Sequence, residues 1–231
     1  MNLIKKSAIA PADPGQKAPA HEIVYQRLKA QILFGDMAPG QAVTIQGLTE
    51  SLGAGMTPVR EAIRRLISDG ALTFQGNRRV KVPEMTVADV EQVTFVRTSI
   101  EAELARRATK NMDADTIQSL ENIDSRLDAA ISVGDVEGYL KHNYDFHAAI
   151  YAQANAPIMV DLAERLWLRF GPSLRVVCGR FGTQNLPDLH KEMMDGLHRK
   201  DAEAVAMAMA QDVEQGMNLV AAVLAEQDAA R

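Results

Sequence analysis

One stretch of this chain, Thr57 to Gly70 (TPVREAIRRLISDG), spaces its cations as a helix would. Arg60 and Arg64 stand four residues apart and share a face, while Val59, Ile63, Leu66 and Ile67 recur as an apolar stripe. Thr57 can cap the helix N-terminus, Pro58 suits its first position, and Gly70 supplies the left-handed residue that stops it. Such a helix buries one side and offers cations and small polar groups near its N-terminal end, as a recognition helix in a DNA major groove must. The same pattern also fits an ordinary surface helix with solvated arginines. A second cationic set, Arg78, Arg79 and Lys81, follows closely. Further on, Asn143 and His147 are four apart and project from one face of one helix. They can ligate a metal, or line a cavity as satisfied polar side chains.

The elements around the Thr57 helix decide between its two readings. HEIVYQRLKAQILFG places Ile23, Val24, Leu28, Ile32 and Leu33 on one helical face, closed by Gly35. DMAPGQAV reads as a turn punctuated by Pro39-Gly40. In TIQGLTESLG, Thr44 is a cap, Ile45, Leu48 and Leu52 form a stripe, and Gly53 ends the helix. Two short helices joined tightly through glycine are the helix-turn-helix signature. After Gly70 the period changes. ALTFQGNRRVKVP reads as two short strands with Leu72, Phe74, Val80 and Val82 inward, and Gly76-Asn77 tolerates the positive φ of a hairpin. A hairpin bearing Arg78, Arg79 and Lys81 directly after a helix-turn-helix is a wing, able to reach the DNA backbone or minor groove. A cationic edge that guards against aggregation is the other use of such a hairpin.

The 231-residue chain carries a net charge of −5, which suits a nucleic-acid binder only once the chain is divided. Residues 21–83 hold eight Lys/Arg against five Asp/Glu, residues 1–20 three against one, and residues 84–231 fourteen against twenty-four. A basic first third on an acidic remainder is the asymmetry expected when one part alone meets phosphate. The single Cys178 excludes an intramolecular disulfide and suits a reducing cytoplasm, and no apolar run approaches a membrane span. Residues 1–20, rich in Pro and Ala without periodicity, read as a flexible tail. Beyond Pro83, five or six helices follow with no strand signal, which implies an antiparallel helical bundle. Asp113 and Asp135 are caps, and Gly171-Pro172 marks a kink or break in a long helix. Val90, Val93, Val96, Ile100 and Leu104 point inward on the first of these helices, and the methionines fill the core or line an adaptable pocket.

The run GAGMTPVREAIRRLISDGALTFQGNRRVKV resembles the DNA-binding domain of the GntR transcription regulators, and the helical remainder is similar to the FCD effector domain of the FadR-type branch. The resemblance implies DNA-facing roles for Thr57 and Arg60, with Arg64 carried by helix geometry. Where that family commonly has Ser-Arg or Thr-Arg before TPVRE, this chain has Gly55-Met56, which loses a cation and a bidentate donor. The resemblance also implies a divalent-metal set of Asn143, His147, His190 and Asp212, the last standing where the family usually has His. Such a mixed N/O set suits Zn²⁺, Ni²⁺ or Mn²⁺, more weakly than three histidines would. His142 and His198 differ in helix phase and are expected at the surface. Arg97, one turn before Glu101, matches an R-x-x-x-E pattern of the family. It either clamps an anionic effector or forms a structural ion pair with Glu101. Trp167, Arg169 and Arg175 are expected along the same cavity.

The sequence thus points to a mostly α protein: an N-terminal winged helix-turn-helix over residues 21–83 and an all-α antiparallel bundle over 84–231. The expected function is a cytoplasmic, homodimeric regulator, more a repressor than an activator, that binds a palindromic DNA operator and senses a small carboxylate. The expected coupling runs through the helix beginning near Thr86. A metal-dependent enzyme and a non-sensing DNA-binding scaffold are the alternatives.

Overall fold

The computed structural model describes residues 19–77, 79–183 and 189–229. The tail reading therefore lies, up to residue 18, outside the described residues, and so does Arg78.

The first part of the chain folds as α1 (Ala20–Leu33), β1 (Ala42–Thr44), α2 (Ile45–Leu52), α3 (Met56–Ser68), β2 (Thr73–Phe74) and β3 (Arg79–Lys81). Thr44 caps α2 by accepting the Gly47 N–H at 2.9 Å, and left-handed Gly53 ends it. The expected start of α3 is displaced. Gly55 is its N-cap, so Thr57 and Pro58 fall inside the first turn. Proline is tolerated there because those amide positions have no intrahelical partner. Val59, Ala62, Ile63 and Leu66 bury the inner face of α3 against α1, which contributes Val24, Leu28 and Ile32. Ile23, expected inward, is 48% exposed, because the α1 stripe runs through Val24, Leu28 and Ile32 and leaves Ile23 at its edge.

The three strands form an antiparallel sheet in the order β1-β3-β2, with Val43 opposite Val80 and Phe74 opposite Val80 on the other side. Strand β1 takes up the end of the stretch that the sequence marks as a turn; three residues are too few to show a period of two. Gly76 and Asn77 both take positive φ at the hairpin tip, as expected. Phe74 does not point inward. It is 62% exposed, because a two-residue strand cannot extend the alternation begun by buried Leu72.

The remainder is helical: α4 (Val87–Thr109), α5 (Ala114–Val133), α6 (Val136–Ala152), α7 (Pro157–Phe181), α8 (His190–His198) and α9 (Ala202–Ala229). Thr86 and Asp89 form a capping box at the start of α4, and Asp113 and Asp135 cap α5 and α6. Helix α4 lies along α9, α5 packs on α6 and α8, and α7 touches α1, α4, α6 and α9. On α4 the buried line is Val90, Val93, Arg97, Glu101 and Leu104, so Val96 turns partly outward. Met193, Met194, Met209 and Met217 fill the core, whereas Met207 is exposed.

Helix α7 is continuous through Gly171-Pro172, not broken. The glycine serves a close approach: a Cβ there would stand 3.2 Å from the Leu33 carbonyl oxygen at the end of α1. The winged helix thus seats directly on α7. Lys29 pairs with Glu164 at 2.7 Å, Arg165 approaches Asp69 at 3.9 Å, and the side chains of Arg169 and Arg175 lie against Gly70 and Gly35. Arg169 and Arg175 therefore face the winged helix, and of the three residues expected along the bundle cavity only Trp167 lines it. Among the described residues no helix is long and apolar enough to cross a membrane.

Candidate nucleic-acid interface and metal centre

The outer face of α3 carries Thr57, Arg60 and Arg64, all exposed, and Arg79 is exposed at the start of β3. Among the described residues Arg60 and Arg64 form no ion pair, whereas Arg65, next in the chain, is held by Glu22 at 2.8 Å and stacks over Tyr25. Arg60 and Asn77 line a notch of about 320 Å³ together with Thr44, Gln46 and Gly47 at the start of α2. The notch therefore combines an exposed guanidinium, a hairpin-tip amide and a helix N-terminus, each favourable to phosphate. Phe74 stands beside Arg60 and Arg64 in an adjoining hollow. Asn77, Gln46 and Phe74 were not singled out by sequence as contact residues. Their proximity to Arg60 arises from the packing of the wing against the two helices.

The bundle brings the second set together. Asn143, His147 and Tyr151 recur every fourth residue along α6, His190 opens α8, and Asp212 comes from α9. Ligand atoms of His147, His190 and Asp212 lie within 4.8 Å of one another, with both histidines buried. His147 Nε2 is 3.2 Å from Asp212 Oδ2. Two ligands of one tetrahedral ion at about 2.0–2.2 Å would stand about 3.3–3.6 Å apart, so the donor set fits a metal in spacing as in chemistry. Asn143 lines the same crevice with Arg97, Trp167 and Asp212. Burial alone would raise the Asp212 carboxyl, but the hydrogen bond and charge of His147, then the charge of His190, outweigh it and hold the group below its ordinary value.

Around these donors lies a buried polar chain. Arg97 and Glu101, 3% and 0% exposed, form a two-point ion pair at 2.6 and 3.0 Å. The Arg97 guanidinium also stacks 3.7 Å from the Phe170 ring centre. Arg97 thus forms the structural ion pair with Glu101 and also lines the crevice. Tyr151 donates to Glu101 at 2.5 Å, and burial, then the Glu101 charge, push its phenol well above the ordinary value of 10. His190 Nδ1 approaches Asp124 at 3.3 Å, and the ring stacks on Phe146 at 3.9 Å. Tyr151 and Asp124 were missed by sequence; Tyr151 had a signal, since it continues the four-residue spacing from Asn143. Of the two remaining histidines, His198 lies at the surface with Glu121 at 3.0 Å, whereas His142 is half-buried near Asp145. Burial pushes the Cys178 thiol up to about 12, which makes it inert.

The crevice is small. About 30 Å³ of free volume is the share of roughly one water molecule. It is large enough for a single ion as it stands and too small for an organic acid.

Comparison with known proteins agrees with this geometry. Residues 20–82 match the model of "Bacterial regulatory proteins, gntR family", and residues 92–215 match the FCD domain, more than half of the chain. The HTH-type transcriptional regulator McbR of Escherichia coli is 29% identical over 197 residues, covering 84% of this chain and 89% of the relative. The HTH-type transcriptional repressor RspR of the same organism is 24% identical over 201 residues, covering 85% and 87%. The solved structure of E. coli McbR/YncC superposes with a TM-score of 0.83 at 28% identity, over 91% of this chain and 99% of that one. A GntR regulator structure from Rhodococcus sp. RHA1 shares the fold with a TM-score of 0.71 at 20% identity, over 87% and 96%. These relatives are transcription regulators and not enzymes, which removes the metalloenzyme alternative. With exposed arginines on the second helix of a helix-turn-helix and a polar cluster within the helical bundle, the chain belongs to the GntR family of DNA-binding transcription regulators, in the branch that carries an FCD domain.

Proposed function

We propose that this protein is a ligand-responsive repressor in which residues 21–83 bind DNA and residues 84–231 dimerise and sense a small carboxylate. The single observation that carries the DNA reading is the pair Arg60 and Arg64, exposed on α3 beside the hairpin and without an ion-pair partner among the described residues. Two copies related by a two-fold axis suit a palindromic operator with half-sites one helical turn apart. The repressor sign is supported by RspR, named as a repressor. A cytoplasmic location follows from a DNA target.

Asn143, His147, His190 and Asp212 would hold Zn²⁺, Ni²⁺ or Mn²⁺, and such an ion supplies a Lewis-acidic anchor for a carboxylate. Arg97 would add a cation beside it. Because the crevice admits about one water, an organic acid must displace its walls, and those walls include Trp167 and Phe170 on α7. The same helix carries the winged helix through Glu164, Arg169 and Arg175. Effector binding thereby biases the seating of the DNA-binding part, provided that the effector prefers one arrangement. This route runs beside the one through α4 and Thr86.

Operator retardation tests the DNA reading. Arg60→Ala should weaken binding by about 1–3 kcal/mol per half-site while the dimer still forms by light scattering. Normal retardation by the variant would remove α3 from the interface.

A further inference from the structure

The hydroxyl of Tyr151, 2% exposed, has three neighbours: Glu101 Oε2 at 2.5 Å, His147 Nδ1 at 3.1 Å and Trp167 Nε1 at 3.4 Å. Their roles are constrained. An indole N–H only donates, and a carboxylate gripped at both oxygens by Arg97 only accepts. The one hydroxyl proton therefore goes to Glu101, and the oxygen is left to accept from Trp167 and from His147. That assigns a proton to Nδ1 of His147. The other ring nitrogen, Nε2, then faces Asp212 Oδ2 at 3.2 Å, with His190 across the same gap. Facing a carboxylate oxygen, that nitrogen needs a proton or a metal cation between the two, and an ion shared with His190 and Asp212 takes the place of the proton.

We propose that Tyr151 is the positioning residue of a divalent-cation site: it accepts the Nδ1 proton of His147, so that Nε2 is presented to an ion shared with His190 and Asp212. The inference rests on the metal reading above and deepens it. It makes the cation site and Arg97 two ends of one hydrogen-bonded chain, His147–Tyr151–Glu101–Arg97, drawn from α6 and α4. The Glu101 carboxylate at the far end polarises the Tyr151 hydroxyl toward itself and so strengthens the hydroxyl oxygen as an acceptor. Outer partners of this kind orient a ligating imidazole and raise its basicity.

The test is Zn²⁺ binding to the full chain, measured by competition with a chromophoric chelator, for wild type and Tyr151→Phe. The variant keeps the ring and loses only the hydroxyl. Zn²⁺ affinity should fall about tenfold to a hundredfold, while the ligand set itself stays in place. Equal affinities overturn the proposal and leave the metal reading standing. A wild type that binds no Zn²⁺ overturns both. A second readout does not depend on the variant folding: ring ¹⁵N spectra of the Zn²⁺-loaded wild type should show His147 metallated at Nε2 and protonated at Nδ1. Metallation at Nδ1 overturns the proposal.

Discussion

The two halves of this protein use charge in opposite ways. In the winged helix the cations lie outside an apolar interior: Arg60, Arg64 and Arg79 are exposed, while Leu28, Val59, Leu66 and Val80 beneath them are fully buried. In the bundle the ion pair and the polar groups are inside: Arg97, Glu101, His147 and His190 are each 3% exposed or less. A surface charge costs little to hold and is free to meet a large polyanion. A buried charge is costly unless every partner is present, and for that reason it can respond to a small one. Among the described residues no buried side-chain polar atom lacks a hydrogen-bond partner, so the interior network is complete. The contrast suits one half for recognition and the other for sensing.

The strongest challenge to this contrast is loss of the interior donors. His147→Ala combined with His190→Ala should reduce bound metal to background by elemental analysis of protein loaded with Zn²⁺. Metal content equal to wild type would place the ion elsewhere and leave the buried cluster purely structural. Next in size is the ion pair. Glu101→Ala strands Arg97 in the interior and should destabilise the fold by about 3–5 kcal/mol in denaturant unfolding. Arg65→Ala, which breaks the exposed pair with Glu22, should cost about 1 kcal/mol or less. Similar losses for the two would dissolve the distinction between the halves.

A comparably small effect lies where the halves join. Thr86→Ala removes the capping box at the start of α4 and should cost about 1 kcal/mol at neutral pH. The side-chain and then the backbone hydrogen bond from Thr86 lower the Asp89 carboxyl below its ordinary 3.8. A depressed carboxyl contributes stability above its unfolded value that is lost as pH falls through the folded one. The deficit of the variant should therefore shrink below about pH 4, where Asp89 takes up its proton. A deficit that stays constant on acidification would mean that the box does not hold the joint.

Much of the DNA-binding half was legible because its signals are local. A cap, an apolar stripe and a glycine stop lie within fifteen residues of one another, and so Thr44, Gly53 and the Gly76-Asn77 tip were read correctly. The failures there fell on elements too short to show a period, β1 and Phe74, and on the start of α3, where Gly55 caps in place of Thr57. In the bundle the helices and their caps were equally readable, but the meaning of Pro172 was not. The helix runs on through Pro172, and Gly171 leaves room for the end of α1, a neighbour that nothing in the local sequence announces. Arg169 and Arg175 were misplaced for the same reason.

Local periodicity and capping chemistry, both properties of adjacent residues, were enough for the sequence to determine the helices, the hairpin and the outward cations. What tertiary structure alone decided is which distant residues meet: Tyr151 with Glu101 fifty positions earlier, His190 with Asp124 sixty-six positions earlier, and the winged helix with α7. Such meetings depend on how whole helices pack, and packing is set by the complete pattern of buried surfaces, which no single segment contains.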